Sequence, residues 1–180
     1  MGKRARQVES VTEVVPMLDP TQLEAVDAAI AAHRDRPGAL LPILHAVQDA
    51  LGCVPAGAVA PVAAALNLSR ADVHGVIGFY HDFRDRPAGR HLIRLCRAEA
   101  CQSMGARGLE AHARAALGLA DGHGDTTDGR FTLEPAYCLG NCALSPALLL
   151  DGELHGRVTP RRFDELLLEC TAGERAEQAG

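Results

Sequence analysis

The sequence has no tryptophan, and aromatic residues make up only 3 % of its 180 positions. Its core must be assembled from Leu, Val, Ile and Ala rather than from stacked rings. No stretch approaches the roughly 18 consecutive apolar residues of a membrane helix, which excludes membrane insertion by that route. The basic start Lys3-Arg4-Ala5-Arg6 is not followed by an apolar run, because Glu9, Glu13 and Asp19 interrupt it, so it does not read as a signal peptide. A basic excess is also missing. The net charge is −5 and the pI about 5.9. Nucleic acid is thereby excluded as the main partner, since phosphate binding needs a basic face. No Gly-rich dinucleotide fingerprint and no nucleophile with a base is found, so the chain alone is not expected to transfer hydride. No two cysteines stand at Cys-x-x-Cys spacing, which argues against dithiol exchange.

What is present is an ordinary globular composition, 47 % apolar and 23 % charged, long enough for one domain or two small ones. These features predict a cytoplasmic protein. In such a reducing compartment the six cysteines (53, 96, 101, 138, 142 and 170) read as metal ligands or buried thiols rather than disulfides.

Residues 1–18 show no clean period and read as an N-terminal arm. Asp19 then caps a helix, with Pro20 at its first position and Gln22 completing a capping box; Leu23, Val26 and Ile30 mark its apolar face. Leu40, Leu44, Val47 and Leu51 give a second helix, closed by Gly52. Val59, Val62 and Leu66 give a third, closed by Asn67. Ser69 and Asp72 form the capping box of a fourth, which Gly78 is expected to end. Residues 19–83 thus form a helical module, and the polar stretch 84–89 a linker. Residues 90–172 follow a different pattern. His91 to Cys96 is a buried strand, and Ala106, Leu109, Ala113 and Leu117 form a helix face. Asp121 to Gly129 is a loop, Phe131 to Glu134 a strand, and Ala147 to Leu150 and Glu153 to Val158 a hairpin about Asp151-Gly152. Thr159 caps a last helix carrying Phe163, Leu166, Leu167 and Cys170, and 173–180 is expected to fray. The fold class is α+β: a helical module, then a βαβ-ββα domain on the thioredoxin-like plan.

Four cysteines carry the chemistry. Cys96 and Cys101 are separated by four residues, Cys138 and Cys142 by three, and 36 residues lie between the pairs. Cys96 ends a strand, and Cys101 is placed just before a helix. Cys138 and Cys142 bracket a loop in which Gly140 is free to take a positive φ. On the βαβ plan both loops leave one end of the sheet. Four thiolates suit a two-iron, two-sulfide cluster or a structural zinc. The wide gaps favour the cluster, because they let each pair clasp one iron. Backbone N–H groups of the Leu139–Asn141 turn are expected to point at the sulfurs, and Arg94 and Arg97 to be solvated surface charges. Cys53 and Cys170, which stand at no ligand spacing from another cysteine, read as packed structural thiols. His74 and His81 read as structural or subunit-contact groups. Phe79, Tyr80 and Phe83 read as core or inter-domain packing.

The chain resembles the thioredoxin-like [2Fe-2S] ferredoxin family, which includes a small subunit of respiratory complex I. The resemblance rests on Cys96-x4-Cys101 and Cys138-Leu-Gly-x-Cys142 after a helical module ending Gly78-Phe79-Tyr80, and it runs from about residue 20 to 170. Within the family, Cys96-Arg-Ala-Glu-Ala-Cys101-Gln-Ser-Met-Gly105, Asn67-Leu-Ser-Arg70, Val73-His-Gly75 and Gly152-Glu-Leu-His155 resemble the gamma subunit of NAD-dependent, molybdenum-containing formate dehydrogenase. Complex I relatives usually carry Pro before the second cysteine and Thr-Phe-Tyr at the module's end; this chain has Ala100 and Gly78. The resemblance implies a one-electron carrier whose [2Fe-2S] cluster is bound by Cys96, Cys101, Cys138 and Cys142. It implies two partners, a flavoprotein subunit binding FMN and NAD and a large iron–sulfur subunit with the molybdenum cofactor. The corresponding subunits of complex I and of NAD-linked hydrogenases are the related alternatives. A zinc-stapled adaptor that moves no electrons is the alternative of another class.

Overall fold

The computed structural model describes residues 17–119 and 124–178. The arm expected at residues 1–18 lies outside these except for Met17 and Leu18. The chain divides into two compact units, Met1–Pro87 and Ala88–Gly180.

The first unit is helical: α1 (Pro20–His33), α2 (Leu40–Leu51), a single 3-10 turn (Ala56–Ala58), α3 (Val59–Leu66) and α4 (Arg70–Phe79). Local chemistry sets the helix ends. Asp19 accepts the Gln22 N–H at 2.8 Å while the Gln22 side chain accepts the Asp19 N–H at 3.1 Å. Ser69 and Asp72 repeat this reciprocal cap at α4, and the hydrogen bonds from Ser69 hold the Asp72 carboxyl below its ordinary pKa. Gly52 (φ 75°) and Asn67 (φ 53°) end α2 and α3 in the left-handed conformation. Val26, Ile43, Leu44, Val47, Val62 and Val73 form the core.

Three expectations need correction here. Leu23 is exposed, and Ala29 takes its place in the buried stripe with Val26 and Ile30. Gly78 does not end α4, which runs on to Phe79; one glycine in a helix costs only about 1 kcal/mol, and Tyr80 still donates its N–H to the Val76 carbonyl. Of the aromatic group only Phe83 is buried, while Phe79 is 73 % exposed and Tyr80 half-exposed. Arg84 belongs to this unit's packing. Its N–H donates to the Gln48 side chain at 2.8 Å, and its carbonyl accepts the Val54 N–H at 2.8 Å.

The second unit is a mixed sheet with helices: β1 (His91–Cys96), α5 (Glu99–Ser103), α6 (Ala106–Leu117), β2 (Gly124–Asp125), β3 (Phe131–Ala136), β4 (Leu148–Leu150), β5 (Glu153–His155) and α7 (Pro160–Gln178). The strand order is β2-β3-β1-β4-β5. β1 and β3 are parallel, with His91 opposite Phe131 and Cys96 opposite Ala136; the other pairs are antiparallel. Ile93, Leu95, Leu133, Leu148, Phe163 and Leu166 make the core. The expected loop over residues 121–129 contains β2, two residues too short to show a period, and its residues 121–123 lie outside the described chain. The hairpin strands are shorter than expected: β4 begins at Leu148, and β5 stops at His155, ahead of the bend at Arg157 with φ 51°. Helix α7 runs on through the expected frayed tail to Gln178, since Thr159 caps it and nothing after Gly173 breaks it. No helix among the described residues is long and apolar enough to cross a membrane.

Candidate metal centre

The parallel pairing of β1 with β3 decides where the cysteines meet. Cys96 occupies the last paired position of β1, and the ladder continues one step as the Arg97 N–H donates to the Ala136 carbonyl at 2.7 Å. Cys138 follows two residues beyond Ala136, so both cysteine loops leave the same end of the sheet. β4 lies on the other side of β1, where the Cys96 N–H donates to the Ala147 carbonyl at 3.1 Å. Cys101 lies inside α5, not before a helix as expected, and the helix that follows is the separate α6. Gly105, with φ 93°, makes the turn between them.

The four thiols form two unlike pairs. Cys96 and Cys101 are each 2 % exposed, whereas Cys138 and Cys142 stand at the surface; all four are free. The Cys138 and Cys142 sulfurs are 3.9 Å apart. Two thiolates on one tetrahedral metal, with bonds near 2.3 Å, stand about 3.8 Å apart. The Cys142 thiol is pushed up in pKa, first by its hydrogen bond with Cys138 and that neighbour's charge, then by burial and by the charges of Cys101 and Cys96. The Cys142 thiol thus lies within the electrostatic reach of the other three sulfurs. The four sulfurs do not close onto one point. Among the described residues, the set of three or more His, Cys, Asp or Glu donors lying mutually within 4.8 Å is elsewhere, at His91, Asp151 and Cys170. Four thiol donors in two pairs fit a binuclear cluster by their chemistry, one pair to each iron.

The surroundings hold the sulfurs in place. Gly140, with φ 76°, donates its N–H to the Cys138 sulfur at 3.4 Å, in keeping with the expectation for this turn. Cys138 itself has φ 113°, a strained backbone for a residue with a Cβ, and such strain concentrates at functional sites. Ser145, buried, accepts from the Cys101 thiol at 3.4 Å and donates to the Cys142 carbonyl at 2.8 Å, so one hydroxyl bridges the two pairs. Sequence reasoning missed Ser145; its only signal was a small polar residue three places after Cys142. Arg94 and Arg97 are not the solvated charges expected. Arg94 Nε lies 3.2 Å from Glu134 Oε2, and Arg97 Nε 3.3 Å from the buried Glu110 carboxylate, which also meets Arg114. Cys53 is buried in the first unit, where desolvation and then the nearby Asp85 charge raise its pKa; no other cysteine accompanies it there.

Known proteins resemble this chain over most of its length. The chain is 37 % identical over 150 residues to a subunit of the NADH-quinone oxidoreductase of Escherichia coli, covering 83 % of this chain and 90 % of that protein. It is 33 % identical to the HndA subunit of the NADP-reducing hydrogenase of Solidesulfovibrio fructosivorans, over 74 % of this chain and 78 % of the relative. Among solved structures, NAD+-reducing [NiFe]-hydrogenase in the air-oxidized state superposes with a TM-score of 0.63 at 28 % identity; 78 % of this chain is covered, and it spans only 24 % of the hydrogenase chain. The sequence pattern of the thioredoxin-like [2Fe-2S] ferredoxins matches residues 26–171. With the fold, the four free thiols and these likenesses together, the chain belongs to the thioredoxin-like [2Fe-2S] ferredoxin family, whose cofactor is a [2Fe-2S] cluster.

Proposed function

We propose that Cys96, Cys101, Cys138 and Cys142 hold the [2Fe-2S] cluster, one pair to each iron. We further propose that this chain is the one-electron carrier standing next to the FMN- and NAD-binding flavoprotein of an NAD-dependent formate dehydrogenase, which also has a large molybdenum-containing subunit. The observation that carries the ligand assignment is the convergence of two free thiol pairs at one end of β1 and β3. When bound, the cluster supplies a centre that takes and gives one electron at a time. The chain's own residues do the rest. Cys96 and Cys101 keep one side dry, and Cys138 and Cys142 leave the other side open to a partner. Met104, Tyr137 and Leu144, next to the ligands in sequence, are exposed apolar residues suited to that partner's docking face.

The formate dehydrogenase branch is supported by Ala100 and Gly78, where complex I relatives usually have Pro and Thr. Neither difference is forced by the fold. Ala100 lies in the first turn of α5, where Pro is tolerated, and nothing stands within 4 Å of a Cβ built on Gly78. The second reading, a complex I or NAD-linked hydrogenase subunit, is favoured by the 37 % identity to the Escherichia coli protein.

Iron and acid-labile sulfide should each approach about two per chain in protein made with cluster assembly intact. Cys138→Ser should lose most of both, whereas Cys53→Ser should keep them, since its thiol only packs. Stoichiometric zinc with negligible iron would return the zinc-stapled adaptor, and equal bleaching by both variants would overturn the ligand assignment.

A further inference from the structure

A second donor set lies at the far end of β1. His91 opens that strand and Cys96 closes it, so five steps of about 3.3 Å separate the two ends by roughly 16 Å. His91 Nδ1 lies 2.7 Å from Asp151 Oδ2. Asp151 stands at the β4–β5 turn with φ 51°. Its N–H donates to the Leu92 carbonyl at 3.0 Å, and its Oδ1 accepts the Leu92 N–H at 2.7 Å. The turn is thus stapled to β1 twice, and the carboxylate is aimed at His91. The His91 ring lies against Phe131, with centroids 5.3 Å apart. Cys170 arrives from α7, half-buried and packed against the core. One ligand atom from each of His91, Asp151 and Cys170 lies within 4.8 Å of the others.

We propose that His91, Asp151 and Cys170 form a binding site for a divalent ion of the zinc class, distinct from the iron–sulfur centre. The donors are one nitrogen, one oxygen and one sulfur, a set that suits a borderline-soft ion and leaves one position for water. Bonds of about 2.0–2.3 Å put tetrahedral ligands roughly 3.3–3.8 Å apart, so the donors need to move by about 1 Å or less. Binding drives the thiol proton and any proton shared by His91 and Asp151 into solvent. The thiolate and carboxylate then balance the ion's two charges. Arg130, which donates to Thr171 beside Cys170 at 3.0 Å, brings a positive charge nearby, so both anionic donors are required. The three donors come from a strand start, a hairpin turn and the last helix. The ion would clamp α7 and the hairpin to β1, away from the end where electrons pass.

The test uses the cluster-loaded protein, stripped of loose metal by a mild chelator and titrated with zinc or, separately, cadmium. One ion per chain should bind beyond the iron, with iron, sulfide and the visible spectrum unchanged. Cadmium should produce a sulfur-to-metal charge-transfer band in the ultraviolet difference spectrum. Cys170→Ala should abolish that band, and Asp151→Asn should weaken binding about 10- to 100-fold, with circular dichroism reporting that both variants are folded. The unfolding temperature of the unaltered protein should rise with zinc, a readout that needs no variant. Failure to bind an extra ion, binding undiminished in Cys170→Ala, or uptake of zinc in exchange for iron would each overturn the proposal. The last outcome alone would bear on the four-cysteine site, so the two assignments fail separately.

Discussion

Ser145 is the residue through which the protein reaches both thiol pairs at once. On the proposed ligand set Cys101 is a thiolate that no longer donates, and the Ser145 hydroxyl can turn its one hydrogen from the Cys142 carbonyl to that sulfur. A donor to a ligand sulfur stabilises the more negative, reduced state and so raises the potential. Ser145→Ala should therefore lower the midpoint potential, by roughly 20–50 mV if the bond differs by about 1 kcal/mol between the two states. A redox titration followed by electron paramagnetic resonance reads this directly. An unchanged potential would mean that the hydroxyl stays on the Cys142 carbonyl and serves the loop alone. On the same proposed ligand set the Gly140 N–H would act on Cys138 in the same sense, but from the backbone, where no side-chain substitution removes it.

At the scale of elements, the cysteine loop is held against the start of the last strand-to-helix connection. A Cβ placed on Gly156 would meet the Leu144 Cβ at 2.7 Å, the Asn141 side chain at 2.9 Å and the Leu144 carbonyl at 3.0 Å. The neighbouring Arg157 N–H donates to the same carbonyl at 2.6 Å. The short 3-10 turn Cys142–Leu144 is thus pressed onto β5's exit, and only glycine allows the approach. Gly156→Ala should cost about 1–3 kcal/mol by overpacking and displace the Cys142 side of the site. Urea unfolding of the loaded protein would measure the first effect and iron retention the second. Full stability together with full iron content would show that the loop yields without disturbing its ligands.

For the molecule as a whole, the division of labour follows from electron count. NADH gives up its electrons as a pair, and a one-electron centre needs a flavin to split that pair. The sequence has no Gly-rich dinucleotide loop to hold either nucleotide. The isolated, loaded protein should therefore be reduced by dithionite and stay oxidised with NADH or formate. Adding the flavoprotein should let NADH reduce it, and, on the proposed formate dehydrogenase assignment, adding a molybdenum subunit as well should let formate do so. Rapid bleaching by NADH in a flavin-free preparation would reveal a nucleotide site within this chain. Reduction through the flavoprotein of a complex I or hydrogenase, with no response to a formate-oxidising subunit, would favour the second reading of its function.

Sequence alone determined the features that arise within a few residues of one another. Both capping boxes, the left-handed ends at Gly52 and Asn67, the hairpin turn at Asp151-Gly152 and the two cysteine spacings are of this kind, because three or four residues contain their whole physics. The strand-helix-strand order likewise carried the parallel β1–β3 pair and with it the common end at which the thiols gather. Tertiary structure decided what depends on partners distant in the chain. Leu23 sits at a core spacing, yet it is 44 % exposed. Two-residue β2 exists only because β3 pairs with it. Arg97 looked like a surface charge until α6 brought Glu110 to it. Cys170 fell outside every ligand spacing because His91 and Asp151 stand 79 and 19 residues before it. Local backbone chemistry is written in short intervals of sequence. Burial and side-chain pairing are settled by which elements the whole chain finally sets side by side.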